Sequence, residues 1–162
     1  MKLLLKVVEA LVALAVLALV VFSIIGLGPQ QHRPGLWLKG DPVASPVDWA
    51  FTDKYPTIMV ETHPWYMIPH AVTIYCITYN GSLYLHSDFA PGLKFPEGKS
   101  WTAAIAHNPS IRLKIGNQVF DRKAVAVTDP AESAALYQAT HKKYPDDKTP
   151  ASNVYFFHVL PR

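Results

Sequence analysis

The chain has 162 residues and a mass of 18.0 kDa, which leaves room for one domain of ordinary size and one short additional segment. Fifteen Lys and Arg against twelve Asp and Glu give a formal charge of +3, and no basic run of the kind that a nucleic-acid groove requires is present. The single cysteine, Cys76, excludes an intrachain disulfide, a CxxC redox pair and multi-cysteine metal sites. We therefore expect a one-domain protein that does not bind nucleic acid.

Residues 1–28 are predicted to anchor the protein in a membrane. The run from Val7 to Gly28 carries one charge, Glu9, and a helix of this length spans a hydrocarbon layer of ~30 Å at ~1.5 Å per residue. A cleaved signal peptide is the alternative, although its apolar region is usually shorter, about 7–15 residues. Lys2 and Lys6 precede the run, so the positive-inside rule predicts a cytoplasmic N-terminus. The remainder is then extracytoplasmic, and periplasmic if the protein is bacterial.

The next segment, residues 29–46, is predicted to be a linker. It holds four prolines and two glycines, a composition typical of irregular connections, and it leads to a domain over residues 47–162. The first strand of that domain is predicted over residues 57–62, which are rich in β-branched side chains. Two longer β-rich runs, residues 70–79 and 82–88, flank Asn80-Gly81, and this dipeptide predicts a hairpin with a two-residue loop.

The hairpin loop determines which side chains share a face. Opposed positions pair Tyr75 with His86, and Ile77 with Tyr84, on a face that is both aromatic and polar. The opposite face is apolar and is predicted to form the core; it carries Val72, Ile74, Cys76, Leu83 and Leu85. A face that is too apolar for water requires a ligand, a helix or a second subunit as cover. We assign a partner contact to Tyr75, Ile77, Tyr84 and His86.

Four further elements follow the hairpin. A short helix is predicted over residues 99–107, a second hairpin follows around Gly116-Asn117, Asp129-Pro130 caps a helix that continues to Tyr144, and a last strand covers residues 154–160. The predicted order is therefore strand, hairpin, short helix, hairpin, helix, strand.

This order is combined with a specific set of residues. Trp101 lies on the short helix, Asn108-Pro109 follows it, and Asp129-Pro130 begins the helix that contains Leu136 and Tyr137. The pattern resembles the flavin-binding split-barrel superfamily, which includes pyridoxamine-phosphate-oxidase-like proteins, and most of all its deazaflavin-dependent quinone reductases and nitroreductases. The resemblance covers residues 57–160. It implies a mainly β fold with α-helices, a split β-barrel, here preceded by one N-terminal transmembrane helix.

The resemblance also implies a cofactor, FMN or a deazaflavin. In that family Lys, Arg and Ser from the first hairpin and from the loop before the tryptophan helix hold the phosphate. The corresponding cofactor-binding candidates in this sequence are Ser87, Lys94, Lys99, Trp101 and His70. The basic turn usual in the family is missing, because no Lys or Arg occurs between Lys54 and Lys94. No catalytic residue is indicated, and the histidines lack metal-binding spacing, so no metal site is assigned.

Three functions are compatible with these features. The incomplete phosphate clamp and the extracytoplasmic location favour a non-catalytic accessory subunit of a membrane complex. The alternative is a flavin- or deazaflavin-dependent oxidoreductase that acts on a membrane quinone, and the third is haem or metal binding. The resemblance implies a homodimer, and a larger membrane protein complex is the other expected assembly.

Overall fold

The structure, a computed structural model, describes residues 1–30, 33–44, 46, 48–66 and 68–162. Helix α1, Lys2–Ile25, is a mainly apolar α-helix of 24 residues, and none of these residues is buried. Within the described part of the chain, α1 is long and apolar enough to cross a membrane, a property that signal sequences share.

The rest of the described chain forms a β-barrel with two helices. Its elements are β1 (Asp41–Pro42), β2 (Ile58–Thr62), β3 (His70–Tyr79), β4 (Ser82–Asp88), α2 (Ser100–His107), β5 (Ser110–Ile115), β6 (Gln118–Ala126), α3 (Pro130–Lys143) and β7 (Val154–Pro161). Six strands pair antiparallel in the order β6-β5-β2-β3-β4-β7, and β7 pairs back with β6 to close the barrel. The short β1 lies parallel to β6. The predicted fold class and order of elements are confirmed.

The hairpin of β3 and β4 has the predicted register. Tyr75 lies opposite His86, and Ile77 lies opposite Tyr84. Asn80 and Gly81 both have positive φ, 50° and 76°, which matches the twist of the flanking strands in a two-residue loop. The apolar face fills the barrel as predicted, because Cys76, Leu83 and Leu85 are all fully buried.

Helix α3 covers much of the outer face of this hairpin. Ile77 and Tyr84 are 1% and 5% exposed, and they pack with Leu136 of α3 and Phe156 of β7. The phenol of Tyr84 donates a hydrogen bond to Oε1 of Glu132, 2.8 Å away. The cover at these positions is therefore a helix of the same chain. Of the four residues assigned to a partner contact, Tyr75 alone is exposed, since His86 is also buried.

The segment after α1 lies against the barrel. Leu27 and Leu36 pair in a small hairpin, and Gly35 exchanges two backbone hydrogen bonds with Ala71 at the start of β3. Leu38 is 1% exposed, and its N–H donates to Oε2 of Glu61 at 2.6 Å. The described part of the region predicted as a linker contains the short strand β1 and is docked on the sheet.

Glu61 is a buried carboxylate whose ionisation is expected to affect stability. Burial raises its pKa above 4.5, although the hydrogen bond from Leu38 and the charges of Arg112 and His63 lower it. The folded chain then holds this proton more tightly than the unfolded chain, so the free energy of unfolding falls as pH rises from 4.5 through the raised pKa. We expect Glu61→Gln to remove this loss.

Urea unfolding at pH 4.5 and at pH 7, followed by tryptophan fluorescence, measures the effect. The E61Q protein is expected to gain stability relative to the unmodified protein at the higher pH. Glu97→Gln is the matched control, because Glu97 is exposed and the same charge is removed. An identical pH dependence in the unmodified and E61Q proteins would contradict this role of Glu61.

A second prediction concerns the contact between α3 and the hairpin. Tyr84→Phe removes the hydrogen bond to Glu132 and is expected to cost about 1–2 kcal/mol. Tyr84→Asp places a carboxylate beside Glu132 in a buried contact and is expected to unfold the barrel. Thermal unfolding measures both, with Tyr79→Phe on the same hairpin as the control. An unchanged melting temperature for Tyr84→Asp would show that α3 does not cover this face.

Candidate functional site

A groove of about 760 Å³ lies between the β3–β4 hairpin and the start of α2. Its volume is in the range of small-molecule and cofactor sites, about 300–1,000 Å³. The apolar part of its lining includes Val72, Ile74 and Trp101. Polar side chains make up much of the remainder, namely Arg33, Thr57, His70, Thr73, Asp88, Lys99 and Ser100. The groove therefore combines an apolar wall with several groups that can donate hydrogen bonds.

The beginning of α2 sets one wall of the groove. Lys99 is extended, with φ −146° and ψ 153°, and its N–H donates to Oγ1 of Thr102 at 3.2 Å. This local cap ends the preceding loop and starts the helix at Ser100. Trp101 is 3% exposed and packs against Phe157, with ring centroids 5.2 Å apart. The indole is thereby fixed between the barrel core and the groove.

Positive charge reaches the groove from two separate parts of the chain. Arg33 comes from the segment after α1, and Lys99 comes from the loop before α2. The positive end of the α2 dipole adds to them, because Ser100 in its first turn also lines the groove. Desolvation by the walls lowers the pKa of Lys99, whereas the negative charge of Asp88 raises it. The groove is suited to an anionic group beside an apolar one.

Three of the five candidate cofactor residues line this groove: His70, Lys99 and Trp101. Ser87 does not, because it is 1% exposed and lies on the core face of β4. Lys94 is exposed in the loop after β4 and is not among the lining residues. The acidic side chain of Asp88, next to Ser87, lines the groove instead.

Arg33 is a basic lining residue that the sequence analysis did not identify as part of the site. It is the first basic residue after Lys6, and by composition it belongs to the linker. Its position depends on the pairing of Gly35 with Ala71, which brings the segment beside β3. Local sequence patterns contain no signal for such a long-range bridge.

The single cysteine has no feature of a reactive thiol. Cys76 is fully buried in the barrel, and burial raises the pKa of its thiol. The ammonium of Lys143, 3.7 Å from Sγ, acts in the opposite direction but does not reverse the shift. A protonated, buried thiol is a core residue.

Solved structures with the same fold are found at low sequence identity. A conserved hypothetical protein from Mycobacterium tuberculosis is 15% identical, with a TM-score of 0.54 over 78% of this chain and 86% of that one. A protein described as a pyridoxamine 5′-phosphate oxidase, from Listeria innocua, is 14% identical, with a TM-score of 0.52 over 70% and 89%. A protein described as a 5-nitroimidazole antibiotic resistance protein, from Bacteroides thetaiotaomicron, is 16% identical, with a TM-score of 0.50 over 81% and 90%.

These similarities establish the fold. The chain has the split β-barrel fold of these structures, and this is the fold that the sequence resemblance predicted. Comparison with protein-family profiles gives no match, and comparison with curated protein sequences gives none either.

Proposed function

We propose that this protein is a membrane-anchored split barrel that binds a phosphorylated flavin or deazaflavin in the groove between β3 and α2. The observation that carries the proposal is the meeting of Arg33 and Lys99 in one groove with the apolar wall that includes Trp101. An anionic tail needs charge-assisted donors, and a planar ring system needs apolar walls. Both requirements are met by residues of this chain.

We assign separate groups of residues to the phosphate and to the ring of such a cofactor. Lys99, Arg33 and the first turn of α2 hold the phosphate, while Val72, Ile74 and Trp101 contact the ring. When bound, the cofactor supplies hydride or electron transfer, and the protein supplies binding and orientation. The proposed acceptor is a lipid-soluble molecule such as a quinone. Arg33 is eight residues beyond the end of α1, which supports a groove close to the membrane surface.

Two features favour the accessory-subunit hypothesis: the missing basic turn and the apolar outer face of the hairpin. The groove and α3 offer another explanation for each of them. A phosphate clamp does not require a basic turn in the hairpin if Arg33 and Lys99 supply the cations. The aromatic hairpin face does not require a partner at Ile77 and Tyr84, where α3 is the cover. Tyr75 remains exposed beside the groove, and we propose that a second copy of the chain covers it in a homodimer.

The binding test uses purified full-length protein in detergent. Titration with FMN and with a phosphorylated deazaflavin, followed by fluorescence quenching, is expected to show saturable binding of one of them. Each charge-assisted hydrogen bond contributes about 1.5–3 kcal/mol, so Arg33→Ala and Lys99→Ala are each expected to weaken binding roughly tenfold or more. Lys94→Ala is the control, because it removes the same charge as Lys99→Ala from an exposed position outside the groove.

Two outcomes contradict the proposal. If neither cofactor binds at high micromolar concentration, the groove is not a flavin site and the accessory-subunit hypothesis becomes the better one. If binding occurs but Lys94→Ala weakens it as much as Lys99→Ala, the phosphate is held elsewhere.

The proposed location is also testable. Residues 1–6 are expected in the cytoplasm and residues 29–162 outside it, because Lys2 and Lys6 flank the shorter end of the apolar run. A reporter enzyme that is active only outside the cytoplasm, fused after Arg162, is expected to be active. Activity of a cytoplasm-specific reporter at the same fusion point would reverse the topology.

A further inference from the structure

Three side chains of the kind that bind metal ions converge at the outer rim of the groove. His86 and Asp88 lie at the end of β4, and Asp147 lies in the loop that follows α3. Nε2 of His86 is 2.6 Å from Oδ1 of Asp88 and 3.9 Å from Oδ2 of Asp147. One ligand atom from each of the three residues lies within 4.8 Å of the others.

The imidazole of His86 is buried without the partners that a buried polar ring requires. Its side chain is 0% exposed and stacks against Phe156, with ring centroids 5.6 Å apart. Within the described ranges of the chain, neither ring nitrogen has a hydrogen-bond partner, and neither does Oδ1 of Asp88. Nε2 and this oxygen are 2.6 Å apart, but they do not form a hydrogen bond of ordinary geometry. Buried polar atoms without protein partners are places where an ion or an ordered water binds.

We propose that His86, Asp88 and Asp147 bind one divalent cation of the Zn²⁺ type. One imidazole and two carboxylates are suitable ligands for this ion, and the two carboxylate charges balance its own. Tetrahedral ligands at about 2.0 Å from the metal are roughly 3.3 Å apart. The separations of 2.6 Å and 3.9 Å lie on either side of this value, so small side-chain rotations complete the site.

The proposed cation site adjoins two cavities. His86 and Asp88 line the large groove, while Asp88 and Asp147 line a second cavity of about 380 Å³. Lys143 also lines that cavity, but its ammonium lies 3.8 Å from Asp53 and 3.7 Å from Sγ of Cys76. Three protein ligands with an accessible fourth position are typical of zinc sites that also bind water or a substrate.

The competing arrangement is a protonated His86 in an ion pair with the two aspartates. It uses the same residues but holds no metal, so a direct binding measurement separates the two. The measurement needs no flavin, and its result is therefore independent of the proposed function.

The experiment titrates untagged, chelator-treated full-length protein with ZnCl₂ by isothermal calorimetry. The expected result is one ion per chain at micromolar affinity or better, with a matching rise in melting temperature. Asp88→Asn and Asp147→Asn keep the size of the side chain and remove one ligand charge, and each is expected to weaken binding roughly tenfold or more. Asp146→Asn is the matched control, because Asp146 is the exposed neighbour of Asp147 and is expected to change nothing.

The experiment substitutes the two aspartates and not His86, because the replacement of a buried side chain can by itself unfold a protein. Circular dichroism verifies that the aspartate variants are folded, and Co²⁺ gives a second readout, since its visible spectrum reports nitrogen and oxygen ligation. The proposal is overturned if the unmodified protein binds no Zn²⁺ at high micromolar concentration. It is equally overturned if Asp147→Asn and Asp146→Asn bind the ion with the same affinity as the unmodified protein.

Discussion

The alternation of side chains along the β3–β4 hairpin is the constraint on which the rest of the structure depends. A strand that sends Cys76 into the barrel must send Ile77 outward, and the outward face of this hairpin is too apolar for water. Helix α3 covers it over 14 residues, or about 21 Å, and ends where Tyr144 meets Tyr75, with ring centroids 4.8 Å apart. Beyond this point β4 ends in His86 and Asp88, which are two of the three residues of the proposed cation site.

A second constraint is the buried carboxylate of Glu61. A charge taken out of water needs compensation, and the N–H of Leu38 supplies a hydrogen bond from the segment that follows α1. The same segment pairs with the barrel at Gly35 and contributes Arg33 to the groove. The connection to the apolar helix is thus also a wall of the ligand groove. Substitutions in the segment after α1 are therefore expected to alter binding in the groove as well as the attachment of the barrel to α1.

Local sequence signals predicted most of the fold. They did not predict the contacts between residues that are far apart in the sequence. The Asn80-Gly81 loop fixed the register of the hairpin, and the Asp129 cap fixed the start of α3, because both signals act over a few residues. Arg33 and Asp147 reach the groove rim only through tertiary contacts, which periodicity does not encode. Ser87 is different. The predicted register placed it on the face of Leu85, where it is buried, although the family resemblance made it a cofactor candidate.

The charge of Asp88 links the groove to the proposed cation site. A carboxylate in a partly desolvated groove repels a bound phosphate and competes for the ammonium of Lys99, whose pKa is lowered by desolvation and raised in part by Asp88. A divalent ion on Asp88 and Asp147 would neutralise their charge at the rim while leaving Arg33 and Lys99 free for the anionic ligand. The two binding events are then coupled through electrostatics, and by linkage each ligand strengthens the affinity for the other by the same factor.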